Sequence, residues 1–289
     1  MRIGVVTTSY PEHEGDPSGH FVRAEVRALE RAGHDVVVFA PRGGAFGWPG
    51  VATRIRERPS RALSAAFAVA RLAARIARAP ALDRIIAHWA VPSAFPLSLA
   101  APCPLTVVSH GGDVRALLAL PRAAREAIVR SIVARAETWR FVSKALERSL
   151  AHALAPPTAR AVAAIATIAA SPIDLPAAVE RVDRASGRRL AVTVGRLVPT
   201  KRVDRIITTI ARENANTRLV IVGDGPERSR LERLARAHGV DAVFTGLVHR
   251  DEALSWIASA DVLLHASEAE GASTVIREAE ALGTPVLIL

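Results

Sequence analysis

Cysteine occurs once in the 289 residues, at Cys103, which excludes a disulfide framework and a cysteine-built zinc site. Aromatic residues make up only 4%, too few to supply the stacking platforms that single-stranded nucleic acid requires. No run of about 20 apolar residues is present, so no helical membrane span is expected. The chain passes from its first residue into a strand-like stretch, so no signal peptide is expected either, and the expected location is the cytoplasm. Lysine is nearly missing: Lys144 and Lys201 stand alone among 38 basic residues. The net charge of +10 therefore comes from arginines scattered along alanine-rich segments. That is a bias of composition rather than a binding stripe, and nucleic acid is not an expected partner.

What is present suits two α/β domains, since 289 residues at 50% hydrophobic content can build two cores. Residues 2–8, RIGVVTT, form the unbroken apolar run of a central parallel strand. A loop containing Gly15 and Gly19 follows, then a helix over 20–32 and a strand over 35–39, a βαβ unit without the G-x-G-x-x-G dinucleotide fingerprint. Residues 60–79 read as an alanine- and arginine-rich surface helix, whose basic face leaves contact with an anionic membrane open. Strands over 82–87 and 105–109 lead into His88-Trp89 and His110-Gly-Gly-Asp113. Both histidines thus fall at carboxyl ends of strands, where open α/β sheets bind ligands. Residues 155–171 are proline- and alanine-rich with an apolar run too short to span a bilayer, and 172–187 read as a linker between a domain of 1–171 and a domain of 188–289.

The second half repeats the pattern. A strand over 190–194 enters Gly195-Arg196 and reaches Lys201, two cations that suit a diphosphate, and a helix over 203–213 follows. A strand over 219–222 enters Gly223-Asp-Gly-Pro226, and a strand over 243–246 precedes Val248. Residues 261–265 form a buried strand, and a helix over 273–282 is closed by Gly283 and Pro285. Its N-terminus, at Ala272, Ser273 and Thr274, suits an anion. Two carboxylates flank that point, Glu270 in the loop and Glu278 on the helix.

Glu270-Gly-Ala-Ser-Thr-Val-Ile-Arg-Glu278 with Gly283-Thr-Pro-Val resembles the E-x7-E signature of retaining glycosyltransferase family 4. The opening Pro/Gly loop, the H-G-x-D segment at His110, residues 137–143, the G-R-x-x-x-x-K segment at Gly195 and the G-x-G-P turn at Gly223 match that family in the same order. Two positions depart from it: Ala272-Ser273 replaces the usual Phe-Gly, and Ala266 replaces a proline. The resemblance implies the GT-B fold, two facing Rossmann-like domains with parallel sheets. It implies a nucleotide-diphosphate sugar as donor, a glycan or lipid-linked acceptor, and no cofactor or metal. A missing D-x-D triplet likewise speaks against the other large glycosyltransferase fold and its metal-held diphosphate.

By the same resemblance Arg196, Lys201 and the amides of Ala272, Ser273 and Thr274 serve the donor diphosphate, with Gly15 and Gly19 against it. Glu270 and His110 serve the transferred sugar as the catalytic pair, Glu278 serves the ribose, and Val248 lies where the base is held. His88 and Asp113 fall on the acceptor side. Readings left open are a catalytically inactive nucleotide-sugar-binding protein and a GT-B epimerase or phosphorylase. The chain stops in an apolar strand, and the second domain is expected to be incomplete.

Overall fold

A computed structural model of the chain describes residues 1–11, 13, 16, 18–41, 58–182, 187–213, 216–267 and 272–289. Contacts divide it into two compact units, Met1–Glu12 with Ser18–Pro172, and His13–Pro17 with Ile173–Leu289. Each is an α/β unit built on one parallel sheet.

In the first unit the strands are β1 (Arg2–Val6), β2 (Asp35–Phe39), β3 (Arg84–His88), β4 (Leu105–Ser109), β5 (Ala136–Phe141) and β6 (Ala166–Ile168). They lie in the order β2-β1-β3-β4-β5-β6, every neighbouring pair parallel. Its longer helices among the described residues are α1 (His20–Arg31), α2 (Arg61–Ala77), α3 (Gly112–Leu118), α4 (Arg122–Val133), α5 (Lys144–His152) and α6 (Pro156–Ile165). Strand parity sorts the core. Ile3, Val5, Ile86 and Val108 meet Val22 and Val26 of α1 on one face. Val6, Ile85, Ala87, Leu105, Val107, Trp139 and Phe141 pack on the other. Because both faces are covered, the strands read as continuous apolar runs.

The second unit carries β7 (Arg189–Val194), β8 (Thr217–Val222), β9 (Ala242–Gly246), β10 (Val262–His265) and β11 (Val286–Ile288) in the order β11-β10-β7-β8-β9, all parallel. Its helices are α7 (Val203–Glu213), α8 (Arg228–Ala237), α9 (Arg250–Ser259) and α10 (Thr274–Ala281). Here too the core lies on both faces of the sheet, Leu219, Ile221 and Leu264 on one and Val192, Val220 and Leu263 on the other.

Two segments carry structure that their composition does not announce. The proline- and alanine-rich residues 155–171 hold helix α6 and edge strand β6. Pro156 and Pro157 occupy the first turn of α6, where the missing N–H would be unpaired anyway, so they start the helix instead of breaking it. Within the expected linker, Leu175 and Val179 pack against the core of the second unit, and Val182 donates its N–H to Ser259 Oγ at 2.8 Å. Among the described residues no helix is long and apolar enough to cross a membrane.

Candidate functional site

In the first unit the strand order reverses beside β1, which has β2 on one side and β3 on the other. Carboxyl ends of strands at such a switch point form the ligand crevice of open α/β sheets. His88 ends β3, and His110 follows β4. Each stands two residues beyond an apolar residue of the α1 face, Ile86 and Val108, so parity directs both rings to that face. There Nδ1 of His88 lies 2.9 Å from Nε2 of His110. Phe21 of α1 and Trp89 pack against the His110 ring at centroid distances of 4.7 and 5.2 Å.

The loop that presents His110 is fixed by Asp113, whose side chain is 2% exposed. Its Oδ1 accepts from the N–H of His110 (3.1 Å) and of Gly111 (3.0 Å), and its Oδ2 accepts from the N–H of Ala90 (2.8 Å). The carboxylate therefore ties the loop after β4 to the turn after β3. In that turn Trp89 holds a φ of 72°, rare for a bulky residue and sustained by such bracing. Asp113 was expected on the acceptor side; its two oxygens accept from three backbone amides, which fixes the loop that carries His110. Gly19 caps α1 in the left-handed region at φ 67°, where an added Cβ would meet the Ser9 carbonyl oxygen at 2.1 Å. This explains the glycine by chain geometry, independent of any ligand. Gly15 lies outside the described residues.

Sequence reading missed two members of this cluster. Glu25 of α1 is 5% exposed, pairs with Nη2 of Arg140 on β5, and places Oε2 3.9 Å from Nε2 of His88. A signal was available: Glu25 sits on the apolar stripe of α1 that carries Val22, Val26 and Leu29, where a carboxylate needs a partner. Arg140 alternates with Trp139 and Phe141, so it faces away from their core toward α1.

In the second unit the reversal falls at β7, between β8 and β10. A pocket at the carboxyl ends of β7 and β10 is lined by Thr193, Gly195, Arg196, Lys201, His265 and Ala266. Lys201 closes a 3-10 turn, Pro199–Lys201, and its aliphatic stem runs past Gly195. The Gly223–Pro226 turn braces this loop: Gly195 donates its N–H to Val222 O and Leu197 to Asp224 O, both at 2.9 Å. Helix α10 begins beyond the same strand ends, with Ala272, Ser273 and Thr274 partly exposed at its N-terminus. Glu270 lies outside the described residues.

Glu278 is 5% exposed one turn into α10, and its Oε1 accepts from Nη2 of Arg250 at 2.7 Å. Arg250 opens α9 and is a third charge that sequence reading missed; among 38 basic residues, an isolated arginine carries no distinguishing spacing. Val248, half-buried after β9, packs on the core of its unit and is not among the residues that line the pocket.

Burial, then the charge of Arg140, pulls His88 from 6.5 down to about 3. The same burial, with His88 and Arg140 beside it, holds His110 well below 6.5. Burial and then Lys201 bring His265 to about 4. These histidines are neutral in the folded chain at neutral pH. Below 6.5 the unfolded chain takes up protons that the folded chain refuses, so their contribution is complete above 6.5 and is lost as pH falls toward the folded values. Each histidine should steepen the loss by up to about 1.4 kcal/mol per pH unit. Urea unfolding above and below pH ~6, with carboxylates still largely ionised, checks this; a free energy unchanged down to pH ~5 would contradict it.

Two parallel-sheet α/β units, each with its candidate groups at a switch point, define the GT-B architecture. Solved structures share it: the catalytic domain of starch synthase IV from Arabidopsis thaliana, bound to ADP and acarbose, superposes with a TM-score of 0.70 at 15% identity, over 100% of this chain and 82% of that one. Anabaena HepE, in complex with UDP and glucose, gives 0.68 at 18% identity, over 99% and 80%. The chain belongs to the family of the glycosyl transferase 4-like domain, which matches residues 18–166, and residues 177–289 match glycosyl transferases group 1. A GDP-mannose-dependent alpha-mannosyltransferase of Mycobacterium tuberculosis is 44% identical over 101 residues, which span 35% of this chain and only 25% of that relative. TuaC of Bacillus subtilis, a glycosyltransferase named for teichuronic acid biosynthesis, is 26% identical over 99% of this chain and 80% of its own length.

Proposed function

We propose that the protein moves a hexosyl group from a nucleotide-diphosphate sugar to a glycan or lipid-linked acceptor, with retention of anomeric configuration and without a metal ion. The observation that carries this reading is the pocket where Arg196 and Lys201 stand beside Gly195 at the ends of β7 and β10. Two cations at a strand-end pocket can neutralise the charge that develops on a departing diphosphate, the largest electrostatic demand of such a transfer. The N-terminus of α10 at Ala272, Ser273 and Thr274 adds amides of the same polarity. In this reading Glu270 and His110 contact the transferred sugar, and Glu278, held by Arg250, takes the ribose. The base lies by Val248, and the departing phosphate itself deprotonates the acceptor. GDP-mannose is the first donor to test, given the mannosyltransferase relative, followed by UDP- and ADP-sugars. A lipid-linked acceptor fits α2, which exposes Leu63 and Phe67 on an arginine-rich helix.

Two experiments test the roles. Turnover in excess chelator should equal turnover without it; activity that falls and is restored by magnesium or manganese contradicts metal independence. Glu270→Gln should lower turnover about tenfold while nucleotide affinity stays within about twofold, and Glu278→Gln should act chiefly on binding. The opposite split would exchange their roles.

A further inference from the structure

The His88–His110 contact has a geometry that selects one proton arrangement. The two rings are parallel within 9°, and their centroids are 5.2 Å apart. That separation exceeds the 2.9 Å between Nδ1 of His88 and Nε2 of His110 by about two ring radii, so the two nitrogens lie on the line joining the centroids. The rings therefore meet edge to edge in one plane, as an N–H···N hydrogen bond requires, and do not lie face to face. Such a bond needs one protonated and one bare nitrogen. Which ring donates is decided on the far side of His88. Its Nε2 is buried, makes no hydrogen bond among the described residues, and lies 3.9 Å from Oε2 of Glu25. A carboxylate oxygen only accepts, so it favours a proton on that nitrogen over a lone pair. Arg140, the other charge facing the ring, directs Nη2 to the same Glu25 oxygen.

We propose that Glu25, clamped by Arg140, and His88 act as positioning residues that hold His110 as the Nε2–H tautomer and leave its Nδ1 as a bare acceptor for a ligand hydroxyl. The proton order is then fixed along the line. His88 carries its proton on Nε2 toward Glu25, its Nδ1 accepts from Nε2–H of His110, and the His110 Nδ1 keeps its lone pair. No described protein group bonds that Nδ1. The depressed basicity of both rings agrees, since a neutral pair keeps one proton on each. The ligand class follows: a group that donates through O–H, as a sugar hydroxyl does. Only the identity of the ligand rests on the proposed transfer reaction; the tautomer does not.

The test reads the tautomer directly, on the full chain without substrate. Histidine-selective nitrogen-15 labelling and two-bond proton–nitrogen correlation spectra at neutral pH distinguish protonated from bare ring nitrogens, and His88→Asn and His110→Asn assign the signals. The expected result is Nε2 protonated and Nδ1 bare on both rings. A His110 ring with Nδ1 protonated and Nε2 bare, or a doubly protonated ring, would overturn the proposal. In His88→Phe, His110 should become a mixture of tautomers, and kcat/KM should fall about three- to tenfold with the unfolding midpoint of the remaining chain followed in parallel. A His110 ring that stays wholly in the Nε2–H form in this variant would show that His88 does not set it. Should the tautomer be found and no sugar transfer be detected, the proposed reaction fails while this inference stands.

Discussion

Gly223→Ala should destabilise the second unit by about 4 kcal/mol or more and abolish the pocket lined by Arg196 and Lys201 with it. Gly223 stands at a φ of 133°, where an L side chain is strained, and an added Cβ would come within 2.0 Å of the carbonyl oxygen of Gly195. The obstructing atom is backbone, so no rotamer change relieves the contact. Only a shift of the Gly195 loop does, and that loop carries Arg196 and Lys201. It would also strain the bond from Gly223 N–H to Gly246 O (3.0 Å) and the two bonds that brace residues 195–197. For a domain of ordinary stability, about 5–15 kcal/mol, such a loss is a large fraction of the total. Urea denaturation with the midpoint and slope compared to the parent chain measures it. A change below about 1 kcal/mol would show that the turn does not brace the loop in this way.

The second large effect concerns affinity, not stability. Lys201→Ala should weaken binding of a nucleoside diphosphate by about tenfold to a hundredfold, because a lost charge-assisted contact costs roughly 1.5–3 kcal/mol. The substitution removes a partly exposed side chain from a short turn and keeps the backbone bond from Lys201 N–H to Val198 O (3.0 Å). Calorimetric titration of parent and variant with the same nucleotide gives the ratio. An unchanged dissociation constant in a folded variant would remove the diphosphate from this pocket.

The fold was largely legible in the chain because its strands are buried on both faces. RIGVV, LTVVS and RLAVTV announce parallel interior strands without any need for alternation, and the helix over 203–213 is found where its period placed it. Residues 155–171 were less readable, since a Pro-Pro pair looks like a breaker unless its place at a helix start is known. The strand-end loops of the two units were legible because glycines and lysine-poor composition make Gly195, Lys201, His110 and Asp113 stand out. What was not legible is what holds those residues. Glu25 lies 63 residues from His88, which it approaches, Arg140 lies 115 from Glu25 and Arg250 lies 28 from Glu278, and only the sheet order and helix packing bring them together. Asp113 shows the converse. Its place in the H-G-x-D segment was clear, whereas its occupation by three backbone amides follows from the approach of the turn at Ala90.

Two carboxylates that meet arginines in the interior, Glu25 and Glu278, sit next to candidate ligand groups. Removing one partner of such a pair leaves a buried charge, which is more damaging than replacing both by apolar groups. Variants at Arg140 and Arg250 should therefore be judged by stability before any loss of activity is read as a binding effect.

In the proposed reaction a sugar leaves its nucleotide and arrives on an acceptor with its anomeric configuration kept. Proton NMR of the full chain mixed with GDP-mannose, and then with UDP- and ADP-sugars, in the presence of glycan and lipid-linked acceptors reads donor, product and anomeric configuration in one spectrum. The expected result is loss of the donor's anomeric signal, release of nucleoside diphosphate and a new glycoside with the same anomeric configuration as the donor. An inverted product, a nucleotide sugar isomerised without release, or a folded chain that leaves every donor intact would contradict it.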